Sequence, residues 1–226
     1  MKSSSMSEDS SSSSTKTKWD YGAFDKQYDM SGVIKVGTGT VKVHNLFDPL
    51  PEFMLEADCI FVDPPWNLGN LNSFYTKAGR NDKQDDFQRF RQRLFDCIRA
   101  IGPQTFFLEM GKEFLADFIM ETRKVFRYVT FYNSFYYHKA VNRCYVIHAS
   151  QQPIRKLALD GRDEEEIIAW ICAYVPFKCI GDLCMGRGFV GWYANRNKRR
   201  FVGTELNSAR LAVLIERINQ GKLNVG

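Results

Sequence analysis

The 226-residue chain is 44% hydrophobic and 14% aromatic, enough to build a sizeable core in one domain. No window approaches the run of about twenty apolar residues that spans a bilayer, and the apolar stretch of a signal peptide is missing, so a soluble, cytoplasmic protein without a membrane partner is expected. The net charge of +5 is modest but uneven, with Arg187, Arg196, Lys198, Arg199 and Arg200 in one cluster and Lys77, Arg80 and Lys83 in another; either alone reads as a solvated face.

Residues 1–18 carry two serine runs and, beyond the initial Met1, no large apolar residue except Met6, the composition of a disordered tail ahead of a single domain over 19–226. Val41–Asn45 alternates like a short strand, and Pro49–Ala57 reads as a turn with one helical turn. Cys59–Val62 is apolar on both faces and breaks at Asp63-Pro64-Pro65, as a central strand of a covered parallel sheet would. Asn67–Gln84 reads as a polar loop. Phe87, Phe90, Leu94, Ile98 and Ile101 recur at helical spacing and predict a helix over Asp86–Ile101.

Element types continue to alternate. Thr105–Met110 is a buried strand, Lys112–Val125 a helix, and Tyr128–Tyr136 with Arg143–Ala149 an antiparallel strand pair. Glu164–Tyr174 is a helix with Asp163 as its N-cap, Lys178–Asp182 a strand, Val190–Asn197 a helix, Phe201–Glu205 a strand and Ser208–Ile218 a closing helix. The expected fold is α/β, a mostly parallel seven-stranded sheet with an antiparallel edge hairpin and helices on both faces. The six cysteines lack Cys-x-x-Cys spacing and read as buried free thiols; no metal site is expected.

Two constellations point to chemistry. In the first, a strand ends at Asp182 and passes through Leu183, Cys184, Gly186 and Gly188 into a helix; glycines there let bare backbone approach a ligand. The next strand ends at Glu205, placed to hold both hydroxyls of a ribose, with Leu206 and Asn207 following. Too little chain follows to build the second half of a dinucleotide-binding dehydrogenase. In the second constellation, Asp63-Pro64-Pro65-Trp66 ends an earlier strand of the same sheet. A carboxylate at Asp63 and the Pro64 carbonyl can accept hydrogen bonds from an exocyclic amine and favour a nucleophilic nitrogen, Pro65 stiffens the turn, and Trp66 offers a face for an extruded base.

At these two motifs the sequence resembles the Rossmann-like amino-methyltransferases that carry Asp/Asn/Ser-Pro-Pro-aromatic. With the catalytic motif ahead of the cofactor motif, it is similar to the circularly permuted β class, phage and bacterial DNA adenine methylases among them. The resemblance covers about Val41 to Ile218. It implies S-adenosyl-L-methionine as cofactor, held by Asn45, Asp63, Asp182, Cys184, Gly186, Gly188, Glu205 and Asn207, and a bacterial or phage-infected host cell. Asn45 stands where the family usually has an acid, and Asp182-Leu183-Cys184 where it has Asp-Pro-Phe; Asp163–Trp170 takes the place of the helix lining the methionine pocket. The implied reaction is methylation of adenine N6 in DNA. RNA adenosine N6, DNA cytosine N4, and an inactive nucleic-acid-binding subunit are the alternatives, the last made less attractive by the intact motif.

Sequence-reading methylases carry a sizeable recognition insertion, for which only the stretch Tyr137–Arg162 is available. Low sequence specificity, or recognition supplied by a homodimer or partner subunit, is therefore expected. Asn67, Lys77, Arg80 and Lys83 are the candidate nucleic-acid clamp, and Phe131–His138 a stacking surface or, on the plainer reading, a core strand. His138 and His148 are expected to be structural.

Overall fold

The computed structural model describes residues 21–225. The predicted tail at 1–18 lies outside them. One nine-stranded sheet runs through the described residues, in the order β1-β2-β9-β8-β3-β4-β6-β5-β7. Its centre is the four strands β9 (Arg200–Glu205), β8 (Cys179–Asp182), β3 (Cys59–Val62) and β4 (Thr105–Met110), parallel to one another, with β2 (Gly39–Val43) also parallel alongside β9. β5 (Tyr128–Phe135) and β6 (Arg143–Ser150) form the expected antiparallel hairpin, β6 lying against β4.

Seven strands were expected and two more are present. β1 (Val33–Val36) pairs antiparallel with β2, and the two-residue β7 (Arg162–Asp163) runs parallel to the end of β5 at Ser134 and Phe135, leaving the rest of the hairpin's outer strand as the edge.

Alternation along β3 and β4 sends side chains to opposite faces, and each face has its own core. Ile60, Val62, Phe106 and Leu108 meet α2 (Phe87–Ile101) and α3 (Leu115–Val125). Cys59, Phe61 and Phe107 meet α4 (Glu164–Tyr174), α5 (Phe189–Arg196) and α6 (Ser208–Gln220). α2 follows its apolar spacing closely. The Asp86 carboxylate accepts the Gln88 N–H at 2.7 Å, Phe90, Leu94 and Ile98 are buried, and Gly102 ends the helix in the left-handed region. Each such side chain contributes about 1.5–3 kcal/mol on burial.

The polar loop expected over Asn67–Gln84 is corrected. It contains a helix, α1 (Leu68–Lys77), whose N-cap Asn67 accepts the Asn70 N–H at 2.9 Å and whose Leu71 and Tyr75, one turn apart, are buried. Its amides cap and tie: Asn72 exchanges two hydrogen bonds with the backbone of Gln84. α3 begins at Leu115 rather than Lys112.

The basic cluster near the C-terminus is largely structural. Arg199 donates to the carbonyls of Cys172, Val175 and Phe177, and Arg200 pairs with Glu56 at 2.6 Å. All six cysteines are free, five of them buried. Among the described residues, no helix is long and apolar enough to cross a membrane.

Candidate active site

The four central parallel strands each deliver an acid to the same end of the sheet. Glu205 closes β9, Asp182 closes β8, Asp63 follows β3, and Glu109 is the penultimate residue of β4. The β3–β4 register pairs Val62 with Leu108, which sets Asp63 beside Glu109. A cavity of about 370 Å³ opens at these carboxyl ends and is lined by all four acids.

On the β8–β9 side, Asp182 is buried and accepts the Cys184 N–H at 2.9 Å; burial pushes its carboxyl well above the usual range. Glu205 accepts the N–H groups of Gly186 at 2.6 Å and Asn207 at 3.1 Å, with Arg210 at 4.0 Å. Burial raises its carboxyl too, against the pull of Arg210 and those N–H groups. Asn45 lines the cavity with its acceptor engaged by the Tyr75 hydroxyl at 2.9 Å and the Phe47 N–H at 3.2 Å, leaving its amide donors as what it offers a ligand. Cys184 and Gly186 are lining residues; Gly188 and Asn207 stand behind the wall. Gly188 caps α5 at φ 78°, where a Cβ would lie 2.5 Å from Leu214, so it holds the helix entry against α6. Asn207 caps α6 and donates to the Lys77 carbonyl at 2.7 Å, binding α1 to the site.

On the β4 side, Pro64, Pro65 and Trp66 line the cavity with Asp63. The Trp66 ring lies over Gly111, where a Cβ would approach it to 2.5 Å, and meets Tyr136 edge-on at 5.4 Å. Asp63 faces the open cavity yet is closely surrounded by protein. Desolvation and the negative charge of Glu164 push its carboxyl up to about 7, opposed by a hydrogen bond from Trp66 and by Arg210.

Two lining acids went unassigned in the sequence. Glu109 is 1% exposed and neither of its oxygens has a partner at hydrogen-bond geometry, although Glu164 and the Cys144 thiol are near neighbours. Desolvation, then the charges of Asp63 and Glu164, raise its carboxyl well above the usual range. Glu164 opens α4, and burial raises its carboxyl also. Asp63, Glu109 and Glu164 each offer an oxygen within 4.8 Å of the others, a set that could hold a cation. Glu109 carried one signal, a lone acid in an otherwise apolar buried strand. Glu164 stands in a run of three acids at a helix start, a pattern that ordinary dipole compensation also produces.

Asn67, Lys77, Arg80 and Lys83 do not line the cavity. Asn67 donates to Glu113 at 3.0 Å, Arg80 is held by Asp82 in a two-bond pair, Lys77 lies 5.3 Å from the Phe74 ring centre, and Lys83 is exposed. The stretch Phe131–His138 divides: Tyr132 and Ser134 are buried, while Tyr136 and Tyr137 line the cavity. The His138 N–H donates to Asp163, and the buried His148 stacks on Phe107 at 4.4 Å.

No protein-family model and no curated protein matches the sequence. Solved structures do match in shape. TTHA0409 from Thermus thermophilus, in complex with S-adenosyl-L-methionine, aligns over 76% of this chain and 88% of its own, at 13% identity and a TM-score of 0.53. PvuII DNA methyltransferase, cytosine-N4-specific, aligns over 84% and 97% at 11% identity and a TM-score of 0.54. The M1.HpyAVI–SAM complex aligns over 73% and 89% at 11% identity and a TM-score of 0.52. At these identities the likeness is one of fold, a Rossmann-like methyltransferase fold built on a mixed, mainly parallel sheet.

Proposed function

We propose that the protein transfers a methyl group from S-adenosyl-L-methionine to the exocyclic amine of a base in DNA, adenine N6 in the first instance. One observation carries this reading: Asp63-Pro64-Pro65-Trp66 and the Asp182–Glu205 pair, far apart in sequence, line a single cavity at the carboxyl ends of adjacent parallel strands. The fold shared with the PvuII enzyme and with two S-adenosyl-L-methionine complexes supports it.

The cavity suits a cationic cofactor. Five acids, Asp63, Glu109, Glu164, Asp182 and Glu205, face it against Arg187 and Arg210. Asp182, Glu205 and the Gly186 backbone would hold the cofactor, with Asn45 contributing amide donors; Cys184 lines its wall. When bound, S-adenosyl-L-methionine supplies an electrophilic methyl group on a sulfonium. Asp63 and the Pro64 carbonyl accept the two N–H bonds of the target amine. That draws the nitrogen lone pair out of the ring's conjugation and toward the methyl carbon. Trp66 and Tyr136 give the base aromatic surfaces. The ionised form of Asp63 is the competent acceptor, and it takes up the proton that the amine loses on methylation.

The same cavity accommodates cytosine N4, the specificity of the PvuII neighbour, and the assay separates the two. Incubation with tritiated methyl donor and duplex DNA, single-stranded DNA or RNA, followed by nucleoside analysis, should yield N6-methyldeoxyadenosine from DNA. N4-methyldeoxycytidine would move the reading to cytosine, and label only in RNA would move it to RNA. No labelled nucleoside together with no cofactor binding would overturn it.

A further inference from the structure

We infer that Glu109 reads the target base, its carboxyl donating an O–H hydrogen bond to the ring nitrogen that neighbours the amine held by Asp63. This rests on the methyl-transfer reading above and adds to it a specificity-determining residue.

Three observations lead there. Glu109 is 1% exposed and lines the cavity, and its polar neighbours are only another acid, Glu164, and the Cys144 thiol; with no amide or cation of the protein matching it, a buried carboxyl borders a space a ligand enters. A protein rarely leaves such a group unmatched, because its desolvation goes uncompensated until something binds. The strand order gives its position. With β9 and β8 carrying Glu205 and Asp182 on one side of Asp63, Glu109 on β4 lies on the other, away from the cofactor acids and toward Trp66, Tyr136 and Tyr137. Finally, Asp63, Glu109 and Glu164 each offer an oxygen within 4.8 Å of the others, and three carboxylates that close, one of them buried, do not all ionise. The most enclosed of them, Glu109, holds the proton. Raised carboxyls at both Glu109 and Glu164 agree with this.

A neutral carboxyl beside an ionised one presents a donor next to an acceptor. That is the complement of the Watson–Crick edge of adenine and of cytosine, an amine beside a ring nitrogen without hydrogen; on that edge guanine sets an N–H beside its amine, and thymine has no amine. The aromatic rings of Trp66 and Tyr136, set edge to face, favour a planar heterocycle at this position over a bare cation. Glu109→Gln keeps the volume of the side chain and a donor toward Glu164, so it separates a role in reading the base from a merely structural one.

The test uses DNA oligonucleotides carrying either the normal target base or its analogue with that ring nitrogen replaced by CH, 1-deazaadenine or 3-deazacytosine according to which nucleoside the wild-type protein methylates. Single-turnover rates are compared for wild type, Glu109→Ala and Glu109→Gln, in chelator and again with added Mg²⁺ or Mn²⁺. The wild type should lose about tenfold or more on the analogue. Glu109→Ala should be slow on both bases alike, and Glu109→Gln, whose amide keeps a donor, should recover both rate and discrimination. If Glu109→Ala still discriminates as the wild type does, or if its defect appears only with the metal added, the assignment is overturned and the acids are a cation site or bystanders. A wild-type protein inert on every normal base overturns the parent reading, and this inference with it.

Discussion

The indole N–H of Trp66 donates a 3.0 Å hydrogen bond to Oδ1 of Asp63, three residues earlier in the chain. The aromatic residue of the motif therefore also orients the carboxylate and favours its charged form. Trp66→Phe keeps a ring but removes that donor, so the Asp63 carboxyl should rise above its present value of about 7. Transfer rate plotted against pH should show its acid limb moved to higher pH, with a loss of about tenfold near neutrality.

Gly111→Ala tests how the ring is seated. The added methyl would lie 2.5 Å from the Trp66 ring, which must then shift and change its 5.4 Å contact with Tyr136. Transfer should fall about tenfold to a hundredfold while the melting temperature changes little, since Trp66 lines an open cavity. Unchanged kinetics would mean that the ring's position is not used.

Glu205→Ala should weaken cofactor binding first. It removes the acceptor of the Gly186 N–H and a charged group in the wall of the cavity. Charge-assisted hydrogen bonds contribute about 1.5–3 kcal/mol, so calorimetry should show affinity lower by about tenfold to a hundredfold, with the rate at saturating cofactor much less affected.

The buried acids should also give stability an unusual pH dependence. Glu109 is raised well above its ordinary value in the folded chain, so folded protein keeps a proton that unfolded chain releases. The contribution is full below the ordinary glutamate value and is lost as pH rises through the raised one. His44 and His148 are lowered by burial and act in the opposite sense near pH 6, so a difference measurement isolates the acid. Glu109→Gln should raise the melting temperature by about 3–6 °C at pH 8 and by less at pH 5. Equal shifts at both pH values would contradict a protonated Glu109.

Much of this architecture was legible because particular residues punctuate it. Pro64 and Pro65 end β3 where the apolar run stops, and Asp86, Asp163 and Asn207 accept the N–H groups that open α2, α4 and α6. α1 was not legible. Its buried contribution is only Leu71 and Tyr75, and the surrounding Gly69, Asn70, Asn72 and Ser73 have the composition of a loop. β7, at two residues, is too short to show a period, and β1 is a four-residue strand with only Val36 buried, so no apolar run marks it. The cavity wall formed by Asp182, Cys184, Gly186 and Glu205 was readable as glycines and acids at strand ends. Glu109 was not, because inside Thr105–Met110 it is one polar residue in a buried strand, and only the pairing of Val62 with Leu108 brings it beside Asp63.

The central claim is that Asp63 holds the amine that is methylated. The direct measurement is tritium transfer from labelled methyl donor to DNA by wild type and by Asp63→Ala, with cofactor affinity measured on both. Labelled N6-methyldeoxyadenosine from the wild type, a loss of about a thousandfold or more in Asp63→Ala, and cofactor affinity changed by less than about tenfold are the predicted results. Full transfer by Asp63→Ala would contradict the account.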